Sequence, residues 1–239
     1  MLQFQTDQLV GFIYLTHNKD LKMSRLIDEI NNYKENFKGR VPQDLQEIML
    51  KATDTLKDTK ISKNALQIGD TAKDFTLRNA NNELVSLDEQ LKENDFVVVN
   101  FYRGQWCPYC NLELKALQEI NDELKGLNAK LIAISPQTPD ASLSTKEKNE
   151  LAYEVLSDTH NLVAKDYGLV FSLAEELRPI YENFGIDIVG LNDEDSFELP
   201  MPATFVFNKN KEVLYSFVDE DYTKRCEPQT ILDIIQKNS

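Results

Sequence analysis

Two cysteines in a Cys-x-x-Cys spacing, Cys107 and Cys110, sit in the stretch FVVVNFYRGQWCPYCNLELKAL from Phe96 to Leu117. A thiolate is the reactive form of cysteine, and a helix N-terminus favours it through unpaired N–H groups and the positive end of the dipole. Residues three apart on a helix lie about 5–6 Å apart between Cβ atoms. A disulfide needs roughly 3.5–4.5 Å, so a small shift in one turn closes the bond. Pro108, directly after the first cysteine, suits the first position of a helix, where its missing N–H costs nothing. A structural zinc site would need two further ligands. Cys226, His17 and His160 are the remaining cysteine and histidines, none of them paired. Two inert core cysteines are the other alternative to a redox-active dithiol.

The elements around the pair fit the redox reading. Phe96-Val97-Val98-Val99 has the β-branched character of a strand buried on both faces. A turn at Arg103-Gly104-Gln105 follows, and Leu112, Leu114, Ala116, Leu117 and Ile120 then fall at helical spacing. Trp106, Pro108 and Tyr109 flank the cysteines, and with Arg103 they are candidates to line the mouth of a site.

The whole chain has 239 residues, 41% of them hydrophobic, enough for one ordinary domain with an extension. Lys and Arg number 26 against 40 Asp and Glu, a formal net charge of −14. Such a surface repels nucleic acid and anionic membranes. Three cysteines do not make a secreted disulfide scaffold. The apolar run Leu9–Leu15 is too short to span a bilayer and lacks the charged start of a signal peptide. A cytoplasmic protein is expected.

Residues 1–64 read as a helical extension. Apolar positions at Leu21, Leu26, Ile27, Ile30, Tyr33 and Phe37 predict a helix over Asn18–Phe37, and a second starts at Pro42 and passes Leu56. Together they form an N-terminal α-hairpin for packing or homodimerisation. Residues 65–239 read as an α/β domain with a mixed central sheet flanked by helices. Its strands are Phe75–Leu77, Leu84–Leu87, the central run, Lys130–Ser135, Glu154–Leu156, Ala203–Phe207 and Val213–Val218. Helices lie over Ser144–Leu151, His160–Tyr167, Pro179–Phe184 and Pro228–Gln236, and Gly185–Leu199 reads as an irregular insertion.

Several blocks, in order, resemble the peroxiredoxin branch of the thioredoxin fold, of the alkyl hydroperoxide reductase and thiol-specific antioxidant type. They are Ile68-Gly69-Asp70-Thr71-Ala72-Lys73-Asp74-Phe75-Thr76-Leu77, Leu156-Ser157-Asp158 with Val163-Ala164-Lys165-Asp166-Tyr167-Gly168, and Thr204-Phe205-Val206-Phe207-Asn208. The likeness covers about three quarters of the chain. It implies a thioredoxin-like fold and a thiol-dependent peroxidase. A sulfenic acid would condense to a Cys107–Cys110 disulfide, recycled by thioredoxin or a similar dithiol donor. No metal, flavin or nicotinamide is implied.

The resemblance places Cys110 at the family's peroxidatic position, Cys107 at its threonine and Arg103 at its proline. The family's second arginine would fall near Pro202, where this chain has none. Other features resemble thioredoxins and glutaredoxins. Cys-Pro-Tyr-Cys is a glutaredoxin dithiol, Pro202 resembles the cis-proline beside it, and Asn100 stands where a buried aspartate handles protons. That analogy makes Cys107 the attacker and implies a second function, a thiol–disulfide oxidoreductase acting on protein disulfides. Tyr222 and Arg225 are minor candidates from the C-terminal segment, Cys226 is expected to be a free thiol, and His160 a surface residue.

Overall fold

The computed structural model describes residues 25–239. The expected start of the first helix at Asn18 and the run Leu9–Leu15 fall outside them. The six residues of the central strand β3 (Phe96–Phe101) are all buried. Their alternation builds two cores. Phe96 and Val98 face one side with Tyr102 just beyond the strand, while Val97, Val99 and Phe101 face the other.

Around β3 runs a seven-stranded mixed sheet. Its strands are β1 (Thr76–Asn79), β2 (Leu84–Ser86), β3, β4 (Ala129–Ser135), β5 (Glu154–Ser157), β8 (Ala203–Asn208) and β9 (Val213–Val218), in the order β2-β1-β5-β4-β3-β8-β9. Strands β3, β4 and β5 are parallel, whereas β8 runs antiparallel to β3 with Phe101 opposite Ala203. Helix α4 (Pro108–Gly126) covers one face together with α1 (Arg25–Lys38) and the C-terminal α9 (Pro228–Asn238). The other face buries Leu87 and Leu91 of α3 (Leu87–Glu93) and Ala164 of α6 (Leu162–Asp166).

The blocks that carry the resemblance have structural work here. Both carboxylate oxygens of buried Asp158 accept N–H groups of the first turn of α6, from Val163 at 3.0 Å and Ala164 at 2.8 Å. Tyr167 packs its ring against Phe101, Phe205 and Phe207. Gly168 has φ +71°, and a Cβ there would lie 2.0 Å from the Asn64 carbonyl oxygen.

Some boundaries differ from the sequence reading. Helix α5 (Pro139–Lys148) starts well before Ser144, because Thr138 caps it by accepting from Ala141 N–H and Pro139 opens its first turn. The segment after α7 (Arg178–Asn183) is not irregular. It holds α8 (Ile188–Asn192), and β7 (Glu198–Pro200) pairs with β6 (Val170–Ser172) in a separate two-stranded ribbon. Such three-residue strands leave too little periodicity to read.

The second N-terminal helix, α2 (Gln43–Thr59), packs on that segment. Ala52 joins Leu173, Leu177, Ile180, Tyr181, Ile188 and Leu199 in a third apolar cluster. Helix α1 instead packs against α4 through Leu26 and Ile30. Three polar contacts pin the extension to the loop before α9. The Ile27 N–H donates to Glu227 Oε1 at 2.9 Å, the Ser62 N–H donates to Glu220 Oε1 at 2.9 Å, and Lys57 lies 3.6 Å from Asp221.

Candidate active site

Between β3 and α4 the chain must turn sharply and still deliver a cysteine to the helix start. Gly104 makes this possible at φ +149°, where an added Cβ would sit 2.5 Å from the Trp106 indole nitrogen. Gln137 holds the turn through Oε1, which accepts from the Gln105 N–H at 2.8 Å, and the Gly104 carbonyl accepts from the Cys107 N–H at 3.1 Å. Cys107 is the N-cap of α4, in extended conformation, and Pro108 takes the first helical position. Cys110 follows in the first turn. Both sulfurs are free thiols, and both residues are 0% exposed.

Each sulfur has its own arginine. Arg103 Nη2 lies 3.7 Å from Cys107 Sγ, and Arg225 Nη2 lies 3.4 Å from Cys110 Sγ. The Arg103 guanidinium is sandwiched between the rings of Trp106, 4.8 Å from its centroid, and Tyr222, at 4.2 Å. Those rings keep the charge buried and aimed. Arg225 is a bridge. Its Nη1 donates to the carbonyls of Tyr222 and Lys224, and its Nε lies 2.7 Å from Glu113 Oε2, one turn beyond Cys110. Both side chains of that ion pair are almost wholly buried.

These contacts split the two thiols. Burial alone would raise Cys107, but the Cys110 thiol and the Arg103 and Arg225 charges outweigh it and hold Cys107 well below the ordinary thiol value. Burial, and then the negative charge on Cys107, push Cys110 well above it. Of the two, Cys107 is the sulfur that gives up its proton first. Burial raises Glu113 to about 7 despite Arg225.

The residues named from sequence therefore distribute unevenly. Arg103, Trp106, Pro108 and Tyr109 line one cavity of about 350 Å³ with Tyr33, Phe37 and Tyr181. Pro202 is buried and lines a neighbouring cavity with Arg103 and Tyr222, but no peptide bond among the described residues is cis. The cis-proline expectation is thus corrected. Pro202 falls between β7 and β8, where a trans bond carries the chain from one pairing partner to the next. Asn100 is buried and donates to Thr204 Oγ1 at 3.1 Å, a cross-strand tie.

Arg225, a minor candidate in the sequence, is in direct contact with Cys110, and Glu113 went unnoticed. Its signal was a carboxylate three residues after Cys110, on the same buried helix face. Cys226 Sγ lies 3.5 Å from the Tyr215 hydroxyl, and burial pushes its thiol up to about 12. His160 is exposed, as expected.

A dithiol at the junction of a buried strand and a helix, on a mixed sheet with this order, defines a thioredoxin-like redox protein. Residues 68–216 match the AhpC/TSA family model, and the chain belongs to that family. Peroxiredoxin Bcp of Escherichia coli (strain K12) is 30% identical over 106 residues, covering 44% of this chain and 67% of the relative. A bcp relative from Haemophilus influenzae is 32% identical over a stretch of the same length, again 44% and 67%. Among solved structures, the peroxidoxin BcpB of Mycobacterium tuberculosis superposes with a TM-score of 0.59 at 20% identity. That match covers 73% of this chain and 99% of the other. A cysteine-to-serine mutant of PrxQ from Xylella fastidiosa gives 0.57 at 13% identity, over 72% and 97%. At such identities the structural likeness speaks for the fold.

Proposed function

We propose that this peroxiredoxin-like chain is a thiol-dependent peroxidase in which Cys107 and Cys110 act as one unit, with Cys107 attacking. The observation that carries the assignment is the unequal pair, since the thiolate is the nucleophile and Cys107 holds it beside Arg103. The Cys107 thiolate attacks the distal oxygen of a hydroperoxide and the O–O bond breaks. Cys107 becomes a sulfenic acid, and the alkoxide or hydroxide that leaves takes up a proton. Arg103 offers a fixed positive charge where the leaving oxygen develops its own negative charge. The Cys110 sulfur then displaces hydroxyl from the sulfenic acid, releasing water and forming the Cys107–Cys110 disulfide. Arg225 supports the Cys110 thiolate needed for that step. A thioredoxin-type dithiol in the cytoplasm restores both thiols by exchange and leaves as a disulfide.

Family membership favours a peroxide over a protein disulfide as the oxidant. The family alignment puts Cys110 in the attacking place, so the assignment is tested by stopped-flow oxidation of Cys107→Ser and Cys110→Ser with hydrogen peroxide. Cys110→Ser is expected to react fast and stop at the sulfenic acid, which dimedone traps, while Cys107→Ser loses the fast phase. The reverse pattern would exchange the two roles. Rates no faster than free cysteine in the wild type would remove the peroxidase.

A further inference from the structure

A third cavity, of about 490 Å³, lies beside α7 and the start of α8, with Phe197 on its wall. Its size falls within the range of about 300–1,000 Å³ typical of small-molecule sites. Three charged side chains line it, Arg178, Glu182 and Asp187. None of the three is in an ion pair among the described residues. Arg178 and Glu182 stand four apart on α7, where opposite charges commonly meet. The arginine turns instead to Phe197, its guanidinium carbon 4.3 Å from the ring centroid. Its Nε is buried without a hydrogen-bond partner among the described residues. An unpaired charged donor costs stability that a ligand oxygen would restore.

The backbone keeps this arrangement in place. Phe197 has φ +57°, a conformation that bulky side chains rarely adopt, and its carbonyl accepts the Leu173 N–H at 2.9 Å. Strain of this kind persists where the surroundings hold it, and here it sets a ring under a guanidinium. On the acidic side, Asp187 Oδ1 accepts the Gly190 N–H at 2.8 Å. Its second oxygen, and both of Glu182, accept no hydrogen bond among the described residues.

These charges select the occupant. An anion would satisfy Arg178 and face two carboxylates, and a cation would do the reverse. A molecule with both charges meets a partner at each end, and Tyr181, Ile186, Ile188 and Val189 supply an apolar wall between them. We propose that this cavity binds a zwitterion with an apolar body, a free apolar amino acid or dipeptide. Its carboxylate takes the planar fork of Arg178, and its ammonium lies toward Asp187 and Glu182. Binding here does not depend on the peroxidase chemistry. The cavity nevertheless adjoins the dithiol site. Tyr181 packs edge-on against Trp106 at 5.4 Å, and Ile186 lines both this cavity and the one at the dithiol mouth. An occupant therefore changes the surroundings of Trp106, the single tryptophan of the chain.

The test is titration of leucine and of the dipeptide Leu-Leu into the reduced full-length protein, read by calorimetry and by Trp106 fluorescence. Saturable binding is expected, and the tighter of the two probes distinguishes an amino acid from a dipeptide. Acetylating the amine of that probe, or converting its carboxylate to an amide, should each weaken binding about tenfold. Arg178→Gln should weaken the unmodified probe by a similar factor and remove the penalty for the amide. Asp187→Asn, which keeps an acceptor for the Gly190 N–H, should reduce the penalty for the acetylated probe. No saturable binding of either probe at millimolar concentration would overturn the site. Binding indifferent to both blocked ends, or unchanged in both variants, would overturn it as well.

Discussion

The charge that makes Cys107 reactive is shared among three neighbours, and this sets what each substitution should do. In the reduced protein, thiolate absorbance at about 240 nm should titrate as one group well below an ordinary thiol and a second well above it. Cys107→Ser should abolish the low-pH step. Arg103→Gln should lower the rate of oxidation by about 100-fold, the usual cost of removing one preorganised charge-stabilising donor. Its readout is the second-order rate with hydrogen peroxide.

Glu113 makes a separate prediction about stability. Its folded pKa of about 7 lies above the ordinary carboxylate value of 4.5, chiefly through burial. Between those values the folded state binds more protons than the unfolded state, so this group makes stability fall as pH rises from about 4.5 to 7. The full loss is on the order of 3 kcal/mol, reached above about pH 7. Urea midpoints across that window should slope downward in wild type relative to Glu113→Gln. Equal slopes would show that Glu113 stays ionised throughout.

Cys107, Cys110 and Arg103 were legible because they are contiguous and carry chemistry in their spacing. Arg225 was legible only as a minor candidate, because 115 residues separate it from Cys110 and nothing local marks its contact with that sulfur.

At the scale of elements, the strands with strong β-branched runs, β3 and β4, and the amphipathic helices α4 and α9 could be read directly from periodicity. The ribbon of β6 and β7 could not, since its pairing is set by contact with α2 and not by local pattern. The turn into the site is the element most exposed to a single change. Gly104→Ala places a Cβ against the Trp106 ring in a backbone conformation that L side chains rarely adopt. The expected result is a loss of about 1–3 kcal/mol in thermal or urea unfolding. A slower reaction with peroxide should accompany it, because Trp106 is one of the two rings that hold Arg103. Unchanged oxidation in a destabilised variant would separate the turn from the placement of the arginine.

At the scale of the whole molecule, the dithiol is covered against a protein partner. Tyr109 stacks edge-on against Tyr33 of α1 at 5.2 Å and against Tyr222 at 5.7 Å, so the N-terminal extension and the C-terminal loop close over the first turn of α4. Reduction by a dithiol protein requires this cover to move, against the packing of Leu26 and Ile30 and a set of surface polar contacts. Those contacts include Ile27 with Glu227, Ser62 with Glu220 and Lys57 with Asp221, all at least partly exposed and each of modest strength. Segments held this way open locally at a fraction of the global unfolding cost. Oxidation by hydrogen peroxide should therefore rise linearly with peroxide concentration. Reduction by thioredoxin should instead reach a plateau set by the opening rate. Glu220→Ala, which frees the Ser62 N–H, should raise that plateau and leave the linear peroxide dependence in place. A reduction rate that climbs linearly with thioredoxin to high concentration would show that the sulfurs are reached without opening.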